Sequence, residues 1–392
     1  MRSDRCLRSG DYQDGYAVSR AIRRTRQASR SDPWHDGLAS VHREKRQGPG
    51  RNVAVNLKEL SQHLGLSQTT VSRALNGFPE VGDATRKRVL EAAETFQYRP
   101  NASARKLATG RAGAIGIVFS SDRNMLLDPI FTDFLAGVAS QCSRSDNDVL
   151  VSSAHGDEAG TYRRLARVRS VDAMLLSSPT VDDPRIGMLQ RLGMPLVVHG
   201  RTQTGLDYPY LDIDNEGAFD KATTLLIDLG HRRIGLLNEN LHFTFATHRS
   251  RGWRRALTAR GLPAPPELEG GARMTEENGY RMARGLFDLP DPPTALLCSS
   301  IFLALGAMRA ARETGRIVGK NLSLIAHDDG LDAIRPETLT PALTTTFSSI
   351  HAAGVRVAEI AMALSNGADP AAAAEIWPVD LVFRGSTVPP AP

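Results

Sequence analysis

Three cysteines are all that this chain of 392 residues contains, and Cys6, Cys142 and Cys298 lie far apart. That spacing supports neither a disulfide framework nor a thiolate metal site, and isolated thiols suit a reducing cytoplasm. No run of about 18 apolar residues occurs, so no membrane span and no membrane partner are expected. The amino end is rich in arginine but has no apolar stretch, which excludes a secretory signal. The motifs G-x-S-x-G and G-x-x-x-x-G-K-[ST] are absent, as is any Cys/His cluster. With them go the nucleophile–base pairs and metal constellations that an enzyme places at strand ends. No catalytic residue, cofactor or metal is expected. Methionine is also missing between Met1 and Met125, so a start downstream of Met1 needs another codon, for example at Val53 or Val55.

The charge that is present is divided. Residues 1–51 hold 12 Lys/Arg and 6 Asp/Glu, residues 52–111 hold 9 and 5, and the remainder holds 27 and 32. A basic amino-terminal quarter on an acidic body points to an anionic polymer as partner of that quarter alone. Residues 1–53 lack apolar periodicity and read as a disordered basic tail or a start-site artefact.

Residues 54–100 read as three short helices. Leu57, Leu60 and Leu64 share one helical face, and Gly65 breaks the pattern. Ser67 caps a second helix from about Gln68 to Leu75, with Val71 and Leu75 turned inward and Asn76-Gly77 as the stop. A third helix follows Asp83 as N-cap and carries Val89, Leu90, Ala93 and Phe96 inward, until Tyr98-Arg99-Pro100 ends it. Residues 101–111 form one more short helix capped by Asn101. From 112 to 388 the texture changes to short apolar strands alternating with amphipathic helices: "AIGIVFSS", "DVLVSSA", "AMLLSS" and "PLVVHG", then "RIGLLNE", "ALLCSS" and "LSLIAHDD". Two successive sets of this βαβ pattern predict two doubly wound lobes of parallel sheet with a crevice between them. The later strands "LTTTF" and "VDLVFRGST" let the chain cross between lobes near 212, 342 and 375.

Two helices joined through Gly65, the second polar at its start, make a helix-turn-helix. In that device the second helix lies in the DNA major groove and its first residues meet base edges. Gln68 and Thr69 offer amide and hydroxyl groups to bases, and Arg73 reaches a base or a phosphate. Thr70, Ser72 and Asn76 are candidates for phosphate contacts. An ordinary helical hairpin has the same pattern; the basic charge and the company of the α/β body weigh against it.

The segments "NLKELSQHLGLSQTTVSRALNG" and "RKRVLEAAETFQYRPNASARKLATGR" strongly resemble the headpiece of LacI-type bacterial transcriptional regulators. The likeness continues through "LDIDNEGAFDKATTLLIDLGHRRIGLL", "RGWRRAL", "ALGAMRAARETG", "LSLIAHDD", "PALTTTFSSI" and "LVFRGST", over about residues 54–387. Within the family, "DPIFTDFLAGV" and "VVHGRTQT…YLDIDNEGAF" look most like regulators of α-glucoside or related disaccharide use.

The resemblance implies a cytoplasmic, nucleoid-associated repressor: a homodimer on a palindromic double-stranded operator, with a small sugar as effector. Gln68, Thr69 and Arg73 match base-reading positions. Residues 101–109 match a hinge helix that folds on the operator, where Leu107 would wedge into the minor groove and kink the duplex. The body resembles periplasmic sugar-binding proteins. Arg249 matches an arginine that hydrogen-bonds sugar hydroxyls, and Asp328 a crevice carboxylate at a strand end. Asp128, Phe131, His199 and Arg201 flank the strand ends of the other lobe. His199 is equally explained as a packed histidine, Arg201 as a partner of Asp212 or Asp214, and Arg249 as a surface ion-pair partner. Where the family often has Asn-Asp before "ALGAMRA", this chain has Ser300-Ile301, which removes a carboxylate contact. A purine or nucleoside effector, a corepressor and a sugar-transport protein are the alternatives. Phe131, Trp253 and Phe302 do not separate sugar from purine, and a transport protein would carry no headpiece.

Overall fold

The computed structural model describes residues 55–98, 110–120, 125–154 and 156–391. The tail 1–53 and residues 101–109 of the expected hinge helix, Asn101 and Leu107 among them, lie outside the described residues; Gly110 and Arg111, at the end of that range, are not helical. The chain divides into two compact units, residues 1–98 and 99–392.

The first unit is a helical trio: α1 (Leu57–Leu64), α2 (Gln68–Leu75) and α3 (Asp83–Thr95). Asn56 starts α1 with a reciprocal capping box. The Glu59 amide donates to Asn56 Oδ1, and the Asn56 amide to Glu59 Oε2, each at 3.0 Å. Gly65 then takes φ 66°, a left-handed turn that glycine adopts without strain. Ser67 Oγ accepts the Thr70 amide at 3.0 Å and opens α2. Leu60, Val71, Ala74, Val81, Val89 and Ala93 form the buried core. Two expectations fail here. Gly82, with no side-chain cap, is the N-cap of α3, and Asp83 is its first helical residue; there it pairs with Arg86 at 3.6 Å and meets the positive end of the helix. Leu90 is 49% exposed, because Val89 and Ala93 define the inward face and Leu90 lies about 100° away from it.

The second unit has two six-stranded sheets. The first contains β1 (Ala114–Ser120), β2 (Asp148–Ala154), β3 (Ala173–Ser177), β4 (Leu196–His199), β5 (Tyr210–Ile213) and, far along the chain, β11 (Ala374–Trp377). Its order is β11-β5-β4-β3-β1-β2, parallel throughout. The second contains β6 (Ile234–Asn238), β7 (Glu269–Gly271), β8 (Ala295–Cys298), β9 (Ser323–Asp328), β10 (Thr344–Phe347) and β12 (Asp380–Val382). Its order is β12-β10-β9-β8-β6-β7, and only β12 is antiparallel. The central strands are buried on both faces and so read as apolar runs.

Helices α4 (Pro129–Arg144), α5 (Glu158–Val168), α6 (Pro184–Arg191) and α11 (Ile350–Ser365) flank the first sheet. Helices α7 (Asn215–Asp228), α8 (Thr244–Ala259), α9 (Glu276–Phe287) and α10 (Ile301–Glu313) flank the second. The helices meet tightly: a Cβ on Gly137 would run into the His351 carbonyl, and one on Gly354 into that of Phe134. The chain leaves the first sheet after β5, returns after β10 and crosses again between β11 and β12. The second and third crossings fall later than 342 and 375, because Thr344–Phe347 still pairs with β9 and Ala374–Trp377 with β5. Strand β11 escaped the sequence pattern because it is a short edge strand of alternating exposure.

Candidate functional site

Helix α2 places Gln68, Thr69, Ser72, Arg73 and Asn76 on one face, opposite the buried Val71 and Ala74. Gln68, Thr69 and Arg73 are exposed, and no hydrogen bond engages their side chains among the described residues. The other three polar candidates already serve the helix. Thr70 Oγ1 lies 2.8 Å from Ser67 Oγ, on the flank of the face. Asn76 Nδ2 donates to the Ser72 carbonyl at 2.8 Å and sits 3.5 Å from Ser72 Oγ. The result is a solvent-facing row of amide, hydroxyl and guanidinium groups on a helix whose start is fixed by its cap. That chemistry suits base edges and phosphates.

In the second unit a cavity of about 460 Å³ lies between the sheets, at the carboxyl ends of their parallel strands. Four of its polar residues form one connected chain of hydrogen bonds. Arg201 Nε donates to Asp212 Oδ2 at 2.7 Å. Asn215 Nδ2 donates to Asp212 Oδ1 at 3.2 Å. Arg249 Nε donates to Asn215 Oδ1 at 2.8 Å, and Arg249 Nη1 donates to the Ser299 carbonyl. The network therefore starts on the first lobe and ends on the second. Arg249 is 5% exposed, and its guanidinium lies 5.1 Å from the ring centroids of both Phe219 and Phe245. Burial lowers its pKa to about 10 against the pull of Asp329 and Asp212, so it stays cationic near neutrality.

Asp329 faces Arg249 in the cavity. Burial raises its pKa to about 7, with Arg249 opposing. Asp328 is outside the lining, which corrects the sequence expectation. Successive side chains of a strand point to opposite faces. His327 Nε2 lies 3.6 Å from Asp329 Oδ1, while Asp328 accepts the Gly330 amide at 2.9 Å in the turn after β9. His327 is fully enclosed and held neutral by burial and by Arg249, with Nδ1 3.0 Å from Thr346 Oγ1.

The cavity does bring together Asp128, Phe131, His199, Arg201 and Arg249. Asp128 spends Oδ1 on the Ile130 amide at 3.0 Å. His199 stacks on Phe134 at 4.6 Å, and burial lowers its pKa to about 4, so it acts as a neutral ring. Arg201 pairs with Asp212, the bland alternative of the sequence, and yet both line the cavity. Aromatic faces come from both lobes: Phe131 and Phe134 from one, Phe245 and Phe302 from the other. Trp253 is not among them; it is fully buried and donates to the Ile234 carbonyl at 3.2 Å. Ser300 caps α10 through the Leu303 amide at 3.3 Å, and Ile301 is buried.

Sequence reasoning missed Asp329, Asp212, Asn215, Glu239, Arg273, Phe134 and Phe245 as lining residues. Asp212 and Glu239 carry a usable signal, a carboxylate at or just after the end of an apolar strand; Phe245 carries none. At one lip, Thr180 of the first lobe and Phe243 of the second form an antiparallel backbone bridge. The Val181 amide donates to the His242 carbonyl at 3.2 Å, and the Thr244 amide to that of Pro179 at 3.1 Å.

Residues 56–101 match the family described as bacterial regulatory proteins, lacI family, and residues 223–387 match the periplasmic binding protein-like domain. The HTH-type transcriptional regulator AglR of Rhizobium meliloti (strain 1021) is 49% identical over 341 residues, 86% of this chain and 95% of that protein. The solved transcriptional regulator CelR–cellobiose complex is 27% identical, covers 85% of this chain and 100% of its own, and superposes with a TM-score of 0.63. The lac repressor dimer bound to operator and the anti-inducer ONPF is 27% identical, covers 85% and 99%, and has a TM-score of 0.71.

Proposed function

The chain belongs to the lacI family of bacterial regulatory proteins, and from that premise we propose that it is a repressor whose grip on a palindromic operator is set by a small sugar in the interlobe cavity. The sugar is an α-glucoside or related disaccharide, and the working form is a homodimer in the cytoplasm, on the nucleoid. The polar network from Arg201 through Asp212 and Asn215 to Arg249 is the observation that carries the sugar assignment. It lines the cavity with donors and acceptors that suit hydroxyls, while aromatic faces on both lobes suit the apolar faces of sugar rings. The volume lies within the ~300–1,000 Å³ of small-molecule sites. The identity to AglR and the likeness of residues 128–138 and 197–219 to α-glucoside regulators support the choice of sugar.

The network also supplies the coupling. A ligand that bridges Arg201 and Arg249 favours one angle between the lobes, and it shifts operator affinity only by its unequal affinity for the two states. A coupling of ~1–3 kcal/mol changes DNA binding roughly 5–150-fold, and the effect is reciprocal.

The test is a thermal-shift panel of maltose, trehalose, sucrose, other α-glucosides, monosaccharides and purines. A bound ligand raises the melting temperature by mass action. We expect a rise with one α-glucoside, lost in Arg249→Lys. A rise with a purine alone overturns the sugar assignment. Adding the positive ligand to a labelled operator complex then reads the sign of the coupling.

A further inference from the structure

Between Glu158 and Asp172 the chain carries no carboxylate and four arginines: Arg163, Arg164, Arg167 and Arg169. The surrounding lobe is acidic. Residues 112–213 and 348–377, which make up this lobe, hold ten arginines, no lysine and fifteen Asp or Glu, so four of this lobe's ten formal positive charges sit within residues 163–169. All four arginines are exposed on α5 and its C-cap. Arg164 reaches Ser152 Oγ at 3.3 Å. The side chains of the other three make no ion pair or hydrogen bond among the described residues. Elsewhere in this unit Arg255, Arg309 and Arg356 are each held by two carboxylates, and exposed arginines without an ion pair, such as Arg144, Arg191, Arg251 and Arg312, stand singly along the chain; four exposed ones within seven residues occur in this unit at 163–169. An unpaired cluster on an otherwise acidic lobe calls for an anionic partner.

Its place in the fold says which. The starts of β1, β2 and β3 share one end of the sheet, and α5 delivers its C-terminus to that end. Asp172, just past Arg169, accepts the amides of Ala112 and Gly113 at 2.7 and 2.6 Å. Those amides belong to the segment by which the chain arrives from residues 99–109. The arginine stripe therefore lies at the end of the lobe that is tethered to the helix-turn-helix unit.

We propose that this stripe is a second DNA-binding surface, carried by the body, which grips the phosphate backbone beside the operator without reading bases. The guanidinium fork matches phosphate oxygens in a bidentate fashion. Residues 163–169 span about 9 Å of helix, a length over which a duplex presents about five charges. On a two-fold axis between copies the stripe would face itself, cation against cation; an off-axis contact between copies is read by the oligomer mass below. The inference rests on the chain binding duplex DNA.

The test is the salt dependence of binding to a duplex of scrambled sequence, read by fluorescence anisotropy with the full chain. R163Q/R164Q/R167Q/R169Q is expected to lower the slope of log affinity against log salt by about 0.9 for each phosphate no longer neutralised, about 2 or more in all. The matching four-lysine variant keeps the slope. Where the glutamine variant fails to fold, Arg167→Gln alone must lower it by about 0.9. An unchanged slope overturns the inference, as it would if the stripe served an acidic protein. A lower slope accompanied by a lower oligomer mass in light scattering also overturns it, in favour of an interface between copies. If the unaltered chain binds no duplex at all, the repressor assignment itself has failed, which is a distinguishable result.

Discussion

The exposed polar face of α2 and the interlobe cavity are both rows of polar groups, but they are built in opposite ways. The face comes from residues 68–76, and one helical period aligns them. The cavity draws Asp128, Arg201, Asp212, Arg249 and Asp329 from five separate segments, aligned only when two sheets are complete. The face leaves Gln68, Thr69 and Arg73 exposed and unpaired, whereas in the cavity Arg201, Asp212, Asn215 and Arg249 are hydrogen-bonded to one another and Asp128 to the backbone. The difference follows from solvent. A surface arginine waits for its partner at no desolvation cost, but a buried one must already be hydrogen-bonded.

The strongest way to break the contrast is to unfold one region and watch the other. Leu60→Ala empties a fully buried position and costs ~2–5 kcal/mol, comparable to the whole stability of so small a core. We expect preference for operator over scrambled duplex to vanish while calorimetry shows the body's transition and its ligand response unmoved. A shift of the body's transition would show that the two units are not separable.

The next effect sharpens the assignment inside the cavity. Asp329→Asn removes a charged partner worth ~1.5–3 kcal/mol, so the sugar's affinity falls tenfold or more by titration calorimetry. Asp328→Asn leaves that affinity unchanged. The reverse outcome would mean that β9 presents its other face. Asp329 also sets a pH dependence. Its folded pKa of about 7 exceeds the ordinary 3.8, so the folded protein keeps this proton longer than the unfolded chain. The stability it adds is complete below pH 3.8 and lost as pH rises to about 7. His199, lowered to about 4 from 6.5, pulls the other way and cancels in a difference. The stability of the native chain minus that of Asp329→Asn should therefore fall between these limits and stay level above them. A flat difference across the window refutes the raised pKa.

The smallest effect returns to the helix-turn-helix. Ser67→Ala removes the cap of α2 at a cost of ~1 kcal/mol. It should lower the melting of the first unit and weaken operator binding modestly, with no change in sugar affinity. A lost sugar response in this variant would contradict a purely local role.

The sequence alone determined the described helices of the first unit, because caps, glycine stops and a helical period act over a few residues. Ser67, Gly65 and the inward Val71 are where local signals put them. Leu90 is an exception: its apolar character favours burial, but among the described residues no neighbour covers it. The alternation of apolar strands and helices likewise determined two parallel-sheet lobes and placed a ligand crevice at their strand ends. It did not determine which side chain enters that crevice. Asp328 and Asp329 are adjacent carboxylates with the same local context, and only the way β9 ends at Asp328 and turns through Gly330 sets the second in the cavity with Arg249. Asn215 and Phe245 are ordinary helix residues until the crossing after β5 brings them beside the first lobe. Long-range packing chose them, because a buried charge takes its partners from whatever the finished fold sets within hydrogen-bond reach.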